Sequence, residues 1–328
     1  MLIPVLLFAL GLVLLIKGGD WFVDGATGIA ERFHVPEIII GATVVSIGTT
    51  LPEVMVSATS ALTGHGEIAY GNAIGSIICN TALIAAITVA VRPGPVDTKA
   101  LKTPVLFFFG SAAIYVVNTY VTGYFGRPLG ILLLAIFVVY LVVTVRQGFR
   151  NPVEAAAEEE ETKEIEEKAT KNTMGKDILL LVVGAALVAV GADLLVDNGT
   201  LIAQALGVPE SVIALTFVAL GTSLPELVTA ITSLAKGHGA LSLGNVIGAN
   251  LFNLVLVSGM SMTLAPFHIP ESSTLFGVNA SLVLDIPLML FVMAFLTLPA
   301  LKTEKLSRYQ GIILLVLYAA FCGIQFSM

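Results

Sequence analysis

Residues 41–80 read GATVVSIGTTLPEVMVSATSALTGHGEIAYGNAIGSIICN, an apolar stretch into which Glu53, a set of hydroxyls, Asn72 and Asn80 are inserted. The pattern recurs without a gap at 214–253, ALTFVALGTSLPELVTAITSLAKGHGALSLGNVIGANLFN, where 17 of the 40 positions are identical and every match lies 173 residues further on. Polar groups repeated at a fixed offset inside membrane-depth segments are the best sequence pointer to the binding site of a transporter.

The rest of the chain fits that setting. Apolar residues make up 56 % of the 328 and charged residues only 12 %, so the natural solvent is lipid and the protein reads as polytopic. The net charge of −7 is concentrated in one acidic run, and no basic patch with interleaved aromatics accompanies it, which excludes a nucleic-acid role. Cys79 and Cys322 lie in apolar segments without metal-ligand spacing. The opening MLIPVLLFALGLVLLI lacks a basic n-region, and its continuation is echoed at 190–200, so it reads as a mature helix.

Crossing about 30 Å of hydrocarbon takes about twenty residues. Ten runs qualify: 2–29, 37–62, 69–91, 102–120, 128–147, 177–205, 210–235, 242–264, 277–298 and 308–326. Five precede the one long polar stretch and five follow it, which gives a first repeat over 1–147, an acidic linker over 148–176 and a second repeat over 177–328. The linker, rich in helix formers with i,i+4 Glu–Lys pairs, reads as a solvated connector. Asp20 and Asp24, like Asp193 and Asp197, fall in the second part of an overlong first span, which suggests tilt or a cavity-facing surface.

Arg32, Arg92, Lys99, Lys102, Arg146, Lys236, Lys302, Lys305 and Arg308 fall with the linker lysines in loops on one side, against Arg127 on the other. The positive-inside rule then places the N-terminus outside and the linker in the cytoplasm. An odd number of spans per repeat makes the second repeat enter from the opposite face, so the fold class expected is an all-α polytopic membrane protein built as two inverted five-helix repeats.

Glu53 and its counterpart Glu226 sit inside apolar spans, where an ionised carboxylate costs several kcal/mol unless it meets a partner or water. No cation at comparable depth is available to make a helix–helix salt bridge. Pro52 and Pro225 precede them, each removing a backbone N–H and crowding the carbonyl four residues back, so a helix break is expected there. Thr49, Thr50, Thr222 and Ser223 add hydroxyls, with back-bonding to the preceding turn as the plain alternative. Asn72, Ser76 and Asn80 fall on one helical face, matched by Asn245, Ala249 and Asn253. The resulting donors are all oxygen, the preference of hard cations such as Ca²⁺ and Na⁺. Gly71 and Gly75, with Gly244 and Gly248, have the spacing of close helix packing. His65 and His238 punctuate loops, with proton sensing as the alternative, and Asp285 is an intramembrane acid whose repeat counterpart is Ala112.

The paired GTTLPE and GTSLPE segments, followed by GNAIGSIICN and GNVIGANLFN, resemble the two alpha repeats of the calcium/cation antiporter superfamily, and within it the prokaryotic sodium/calcium exchangers. That resemblance implies a Ca²⁺ site at Glu53 and Glu226 with the carbonyls of Thr49 and Thr222. It implies Na⁺ sites using the same glutamates with Ser76, Thr50, Ser223 and the carbonyls of Ser46 and Ala219, and a central Asn80, whose repeat counterpart is Asn253, in contact with ions or water. It implies no cofactor, Ca²⁺ and Na⁺ as transported ions, no obligatory protein partner, and a prokaryotic cell membrane as the location. Many relatives carry aspartate at Asn253 and serine at Ala249, so two carboxylates remain here and their charge matches one Ca²⁺. Exchange of Ca²⁺ for protons by the same glutamates is the alternative. An intramembrane hydrolase finds no HExxH or GxSxG in the chain, and a passive channel would conduct without counter-ion dependence.

Overall fold

The computed structural model describes residues 2–33, 35–148, 173–205, 223–270, 274–275 and 277–327, so the expected linker lies almost wholly outside the described residues. In order these form α1 (Leu2–Phe33), α2 (Glu37–Ile40), a π-helical turn (Gly41–Val45), α3 (Ser46–Leu62), α4 (Gly66–Cys79), a second π-turn (Asn80–Ala85) and α5 (Ala86–Val91). Strand β1 (Gly94–Pro95), α6 (Thr98–Thr122), β2 (Tyr124–Phe125) and α7 (Arg127–Gly148) complete the first half. The second half holds α8 (Met174–Ala205), α9 (Leu224–Lys236), α10 (Gly239–Phe252), a π-turn (Asn253–Val257), α11 (Ser258–Leu264) and β3 (Phe267–His268). It ends with β4 (Thr274–Leu275), β5 (Val278–Asn279), a π-turn (Ser281–Asp285), α12 (Ile286–Thr303), β6 (Lys305–Leu306) and α13 (Arg308–Ser327). Nine segments among the described residues are long and apolar enough to cross a bilayer; the tenth expected span, 210–235, is described only from Ser223 onward.

Burial runs opposite to that of a water-soluble protein. Val121 is 77 % exposed and Val316 64 %, whereas Glu53, Glu226, Asn80 and Asn253 are 0 % exposed. An apolar exterior over a polar interior is the arrangement a lipid solvent requires.

The chain packs as two compact units, one made of Met1–Thr49 with Val143–Asn245, the other of Thr50–Val142 with Val246–Met328. The divisions fall inside α3, α7 and α10, so each unit draws on both halves of the sequence.

In the first unit α1 packs along α8. Gly18 lies against Val188, Gly25 against Leu181, Gly184 against Phe22 and Gly191 against Leu15, backbone to backbone, so closely that a Cβ at any of the four would collide. The residue numbers of each contact rise on one helix as they fall on the other, so the helices run antiparallel, and glycine recurs every seven residues along both. This is small-residue packing, by which membrane helices gain van der Waals contact. Phe22, Val23, Ala26, Ala30, Val35, Ile40, Val45 and Leu241 form the apolar core beside it. Arg32 Nη2 pairs with Asp177 Oδ2 at 3.1 Å, tying the end of α1 to the start of α8.

In the second unit β1 pairs with β6 and β2 with β3, both antiparallel. Rings of Tyr70 and Tyr115 pack on Phe125, with centroids 6.0 and 5.2 Å away, and Phe267 closes the cluster. Val54, Ala73 and Val257 form a small core where α3, α4 and the Asn253 π-turn meet.

Two local expectations change. The helix does not break at Pro52: α3 runs through it, and the irregular turn comes earlier, at Gly41–Val45. A single proline removes one hydrogen bond, which neighbouring packing tolerates, while the wider π-turn displaces the ladder upstream. Pro225, by contrast, stands in the first turn of α9, where its missing N–H costs nothing. Of the packing glycines, Gly244 lies hard against the backbone of Ile38, but no described atom comes within 4 Å of a Cβ built at Gly71 or Gly75.

Candidate functional site

In the first unit Asn245, on α10, is the organising residue. Its backbone carbonyl accepts from Ser46 Oγ at 2.9 Å and its Oδ1 from Thr49 Oγ1 at 3.2 Å. Ser46 Oγ also reaches the carbonyl of Gly41 at 2.7 Å, five residues back, the spacing a π-turn offers. Glu226, in the first turn of α9, is fully buried with the Thr49 side chain beside it. A carboxylate at a helix start faces unpaired backbone N–H groups and the positive end of the dipole, which offsets part of its burial cost. Ser223 caps that helix start, and its hydroxyl finds no hydrogen-bond partner among the described residues. Thr222 and Ala219 lie outside the described residues.

In the second unit Asn72 does for Glu53 what Asn245 does for Thr49. Its Nδ2 donates to the Glu53 carbonyl at 3.2 Å and to Ser57 Oγ at 2.8 Å, fixing α4 to α3. Thr50 and Ser76 are buried on the same two helices, and the Thr50 hydroxyl has no partner among the described residues. Asn80 and Asn253 each open a π-turn, at positions related by the repeat offset. Neither side-chain amide makes a hydrogen bond among the described residues, although both are fully buried.

Buried polar atoms are almost always paired, so exceptions call for a reason. Among those exceptions here are two repeat-related pairs, Thr50 with Ser223 and Asn80 with Asn253; others, such as Ser111, Thr144 and Ser242, stand outside the repeat pairing. Asp20 and Asp24, expected to mark a tilted span or a cavity-facing surface, have a cation beside them: Lys236 Nζ lies 2.7 Å from Asp24 Oδ1 and 3.6 Å from Asp20 Oδ1. His238 also has a partner, with its Nδ1 2.6 Å from Glu37 Oε1.

One polar contact escapes the repeat comparison. Asn250 Nδ2 donates to Thr81 Oγ1 at 2.7 Å and to Met293 Sδ, joining α10 to the Asn80 π-turn and α12. Its counterpart in the first repeat is Ile77, so comparing the two copies hides it, and scanning apolar helices for single amides would have found it.

Comparison with known proteins adds an independent line. The sequence profile of the sodium/calcium exchanger protein family matches residues 3–146 and 176–327. An uncharacterised membrane protein of Methanocaldococcus jannaschii is 36 % identical over 95 % of this chain and 94 % of its own length. The sodium/calcium exchanger MaX1 of Methanosarcina acetivorans is 29 % identical over 98 % of both chains. A structure of the sodium-calcium exchanger NCX_Mj, soaked with Na⁺ and Sr²⁺, is similar over 97 % of both chains at a TM-score of 0.80 and 33 % identity.

Proposed function

The chain belongs to the sodium/calcium exchanger family, and from that premise we propose that this integral membrane transporter exchanges Ca²⁺ for Na⁺ by alternating access. One observation carries the reading: buried oxygen and amide groups at repeat-related positions make no internal hydrogen bonds among the described residues, beside two fully buried glutamates. Such groups are stable in a folded membrane protein when a ligand completes them.

The ligand set we assign is Glu53 and Glu226 for Ca²⁺, with the carbonyls of Thr49 and Thr222. For Na⁺ it is the same glutamates with Thr50, Ser223, Ser76 and the carbonyls of Ser46 and Ala219, while Asn80 and Asn253 contact ions or water. Two carboxylates balance one Ca²⁺ or two monovalent cations, so both cargoes compete for one set of oxygens. Emptying the set leaves bare charge away from water, which makes the loaded states the ones that convert.

The antiparallel packing of α1 along α8, the equivalent helices of the two halves, supports inverted repeats over 1–147 and 177–328. The loop charges support an outside N-terminus in a prokaryotic cell membrane. A second reading, Ca²⁺ against H⁺, is favoured by the charge of the pair, since two protons would neutralise it as one Ca²⁺ does.

Calcium uptake into proteoliposomes under separately imposed Na⁺, K⁺ and H⁺ gradients decides the counter-ion. A sodium gradient is expected to drive uptake; failure of sodium where a proton gradient succeeds selects the second reading. Glu53→Gln and Glu226→Gln are each expected to abolish exchange, and wild-type flux from either variant would remove that residue from the ligand set.

A further inference from the structure

Asp285 is an acid within a membrane-spanning segment that the repeat does not explain and the exchange reading does not use. It closes the π-turn Ser281–Asp285 that opens α12. Gln325, from α13, donates Nε2 to Asp285 Oδ1 at 2.9 Å. The Ser281 side chain lies against the same carboxyl, and the Tyr70 hydroxyl, from α4, faces both. Tyr120, from α6, donates its hydroxyl to the Leu282 carbonyl within the π-turn. Four membrane-spanning segments therefore meet at this π-turn.

Every contact that Asp285 makes among the described residues is to a neutral group: no lysine, arginine or histidine touches it. The titratable groups facing it are the phenols of Tyr70 and, behind it, Tyr120 and Tyr115. On α13, Tyr318 lies against Cys79 and Cys322 instead. A metal ion would need several acceptors, but Gln325 presents its N–H. Hydroxyls both donate and accept, so they satisfy a carboxylate and a carboxylic acid equally well. At this depth an ionised carboxylate without a cation is costly, and a proton is the counter-charge that needs no further ligands.

The hydroxyls continue inward. Tyr70 is buried and faces Tyr115, which lies against the Ser258 side chain, and Ser258 Oγ donates to the Asn253 carbonyl at 3.0 Å, while neither phenol hydroxyl makes a hydrogen bond among the described residues. We propose that Asp285 is a proton-binding site, with the hydroxyls of Ser281, Tyr70, Tyr115 and Ser258 set in a row between it and the backbone of Asn253. Binding converts the carboxylate to a carboxylic acid, and release returns one proton. The change in charge beside Tyr70 acts on the hydroxyl dipoles of that row as far as the π-turn that carries Asn253, so external acidity tunes exchange without occupying the exchange ligands. That coupling rests on the function proposed above; the proton site does not.

The test is infrared difference spectroscopy on the full-length reconstituted protein, with calcium uptake measured against pH. Wild type is expected to show a protonated carboxylic C=O band that fades as pH rises and is missing in Asp285→Asn. That variant also loses one titrating component of the uptake profile. Tyr70→Phe keeps the band and loses the same component. Persistence of the band in Asp285→Asn overturns the site. A wild-type profile in both variants, or an Asp285→Asn protein that is folded but inactive at every pH, overturns the coupling. If sodium fails to drive uptake at all, the ion assignment falls, while the infrared band still decides Asp285.

Discussion

Hydroxyl groups in this protein divide into two kinds. Thr27, Thr81, Thr88, Thr119, Thr229 and Thr297 donate to the carbonyl four residues back, at 2.6 to 3.1 Å, the ordinary fate of a hydroxyl in an apolar helix. Thr50 and Ser223 do not. Thr50→Val and Ser223→Ala should therefore weaken cation binding several-fold, read by titration calorimetry, and leave the unfolding temperature unchanged because no internal bond is lost. Thr81→Val should do the reverse, costing about 1 kcal/mol of stability by stranding the Asn250 amide, with binding intact. The sequence marks all these positions as polar, but which hydroxyls are back-bonded depends on local helix geometry that residue identity does not encode. Nor did GHG at 237–239 announce that His238 meets Glu37, a contact between distant loops. The Glu37 hydrogen bond, aided by the charge of Glu31 and opposed by burial and Lys236, holds the His238 imidazole above its usual value. A raised histidine stabilises the fold fully below its unfolded value of about 6.5 and ceases to do so as pH rises through the folded value. Wild type should thus lose more thermal stability than His238→Ala on going from mildly acid to mildly alkaline buffer, and equal losses would show that the pair contributes nothing.

Among the elements, the glycine-lined contact of α1 with α8 is the one least tolerant of change. Gly184→Val places a branched side chain against the backbone of Phe22, and overpacking of this kind costs about 1–3 kcal/mol. It should lower the unfolding temperature and slow exchange, whereas valine at Gly71, with no described neighbour, should be far milder. Strand pairs carry topological information as well. The β2–β3 pairing holds the loop after α6 beside the loop after α11, so an even number of crossings separates them. Among the described residues α7, α8 and α10–α11 supply three; the expected span 210–235, described only from Ser223 onward, would make the fourth. The proposed inverted topology would put repeat-equivalent loops on opposite faces: an impermeant maleimide should label His65→Cys and His238→Cys, in a cysteine-free background, from opposite sides. Span positions were readable because about twenty apolar residues are an unambiguous signal. The π-turns at Gly41, Asn80, Asn253 and Ser281 were not, since a one-residue change in hydrogen-bond register leaves hydrophobic periodicity almost untouched.

On the scale of the molecule, sequence repeat and packing unit are different divisions. Duplication is written at a constant offset and can be read directly, whereas each compact unit mixes both copies, with its edges inside α3, α7 and α10. Contacts such as Asn245 with Ser46 and Thr49, between residues far apart in the chain, decide that mixing, and no periodicity reveals them. The antiparallel course of α1 and α8 has an electrical consequence. Each is 32 residues long, and parallel helices of that length would add their backbone dipoles. Opposed, those dipoles cancel, so tilting the pair as one body does almost no work against the transmembrane voltage. The current carried per turnover is then set by cargo stoichiometry and by the few charged side chains that move, rather than by the peptide scaffold itself.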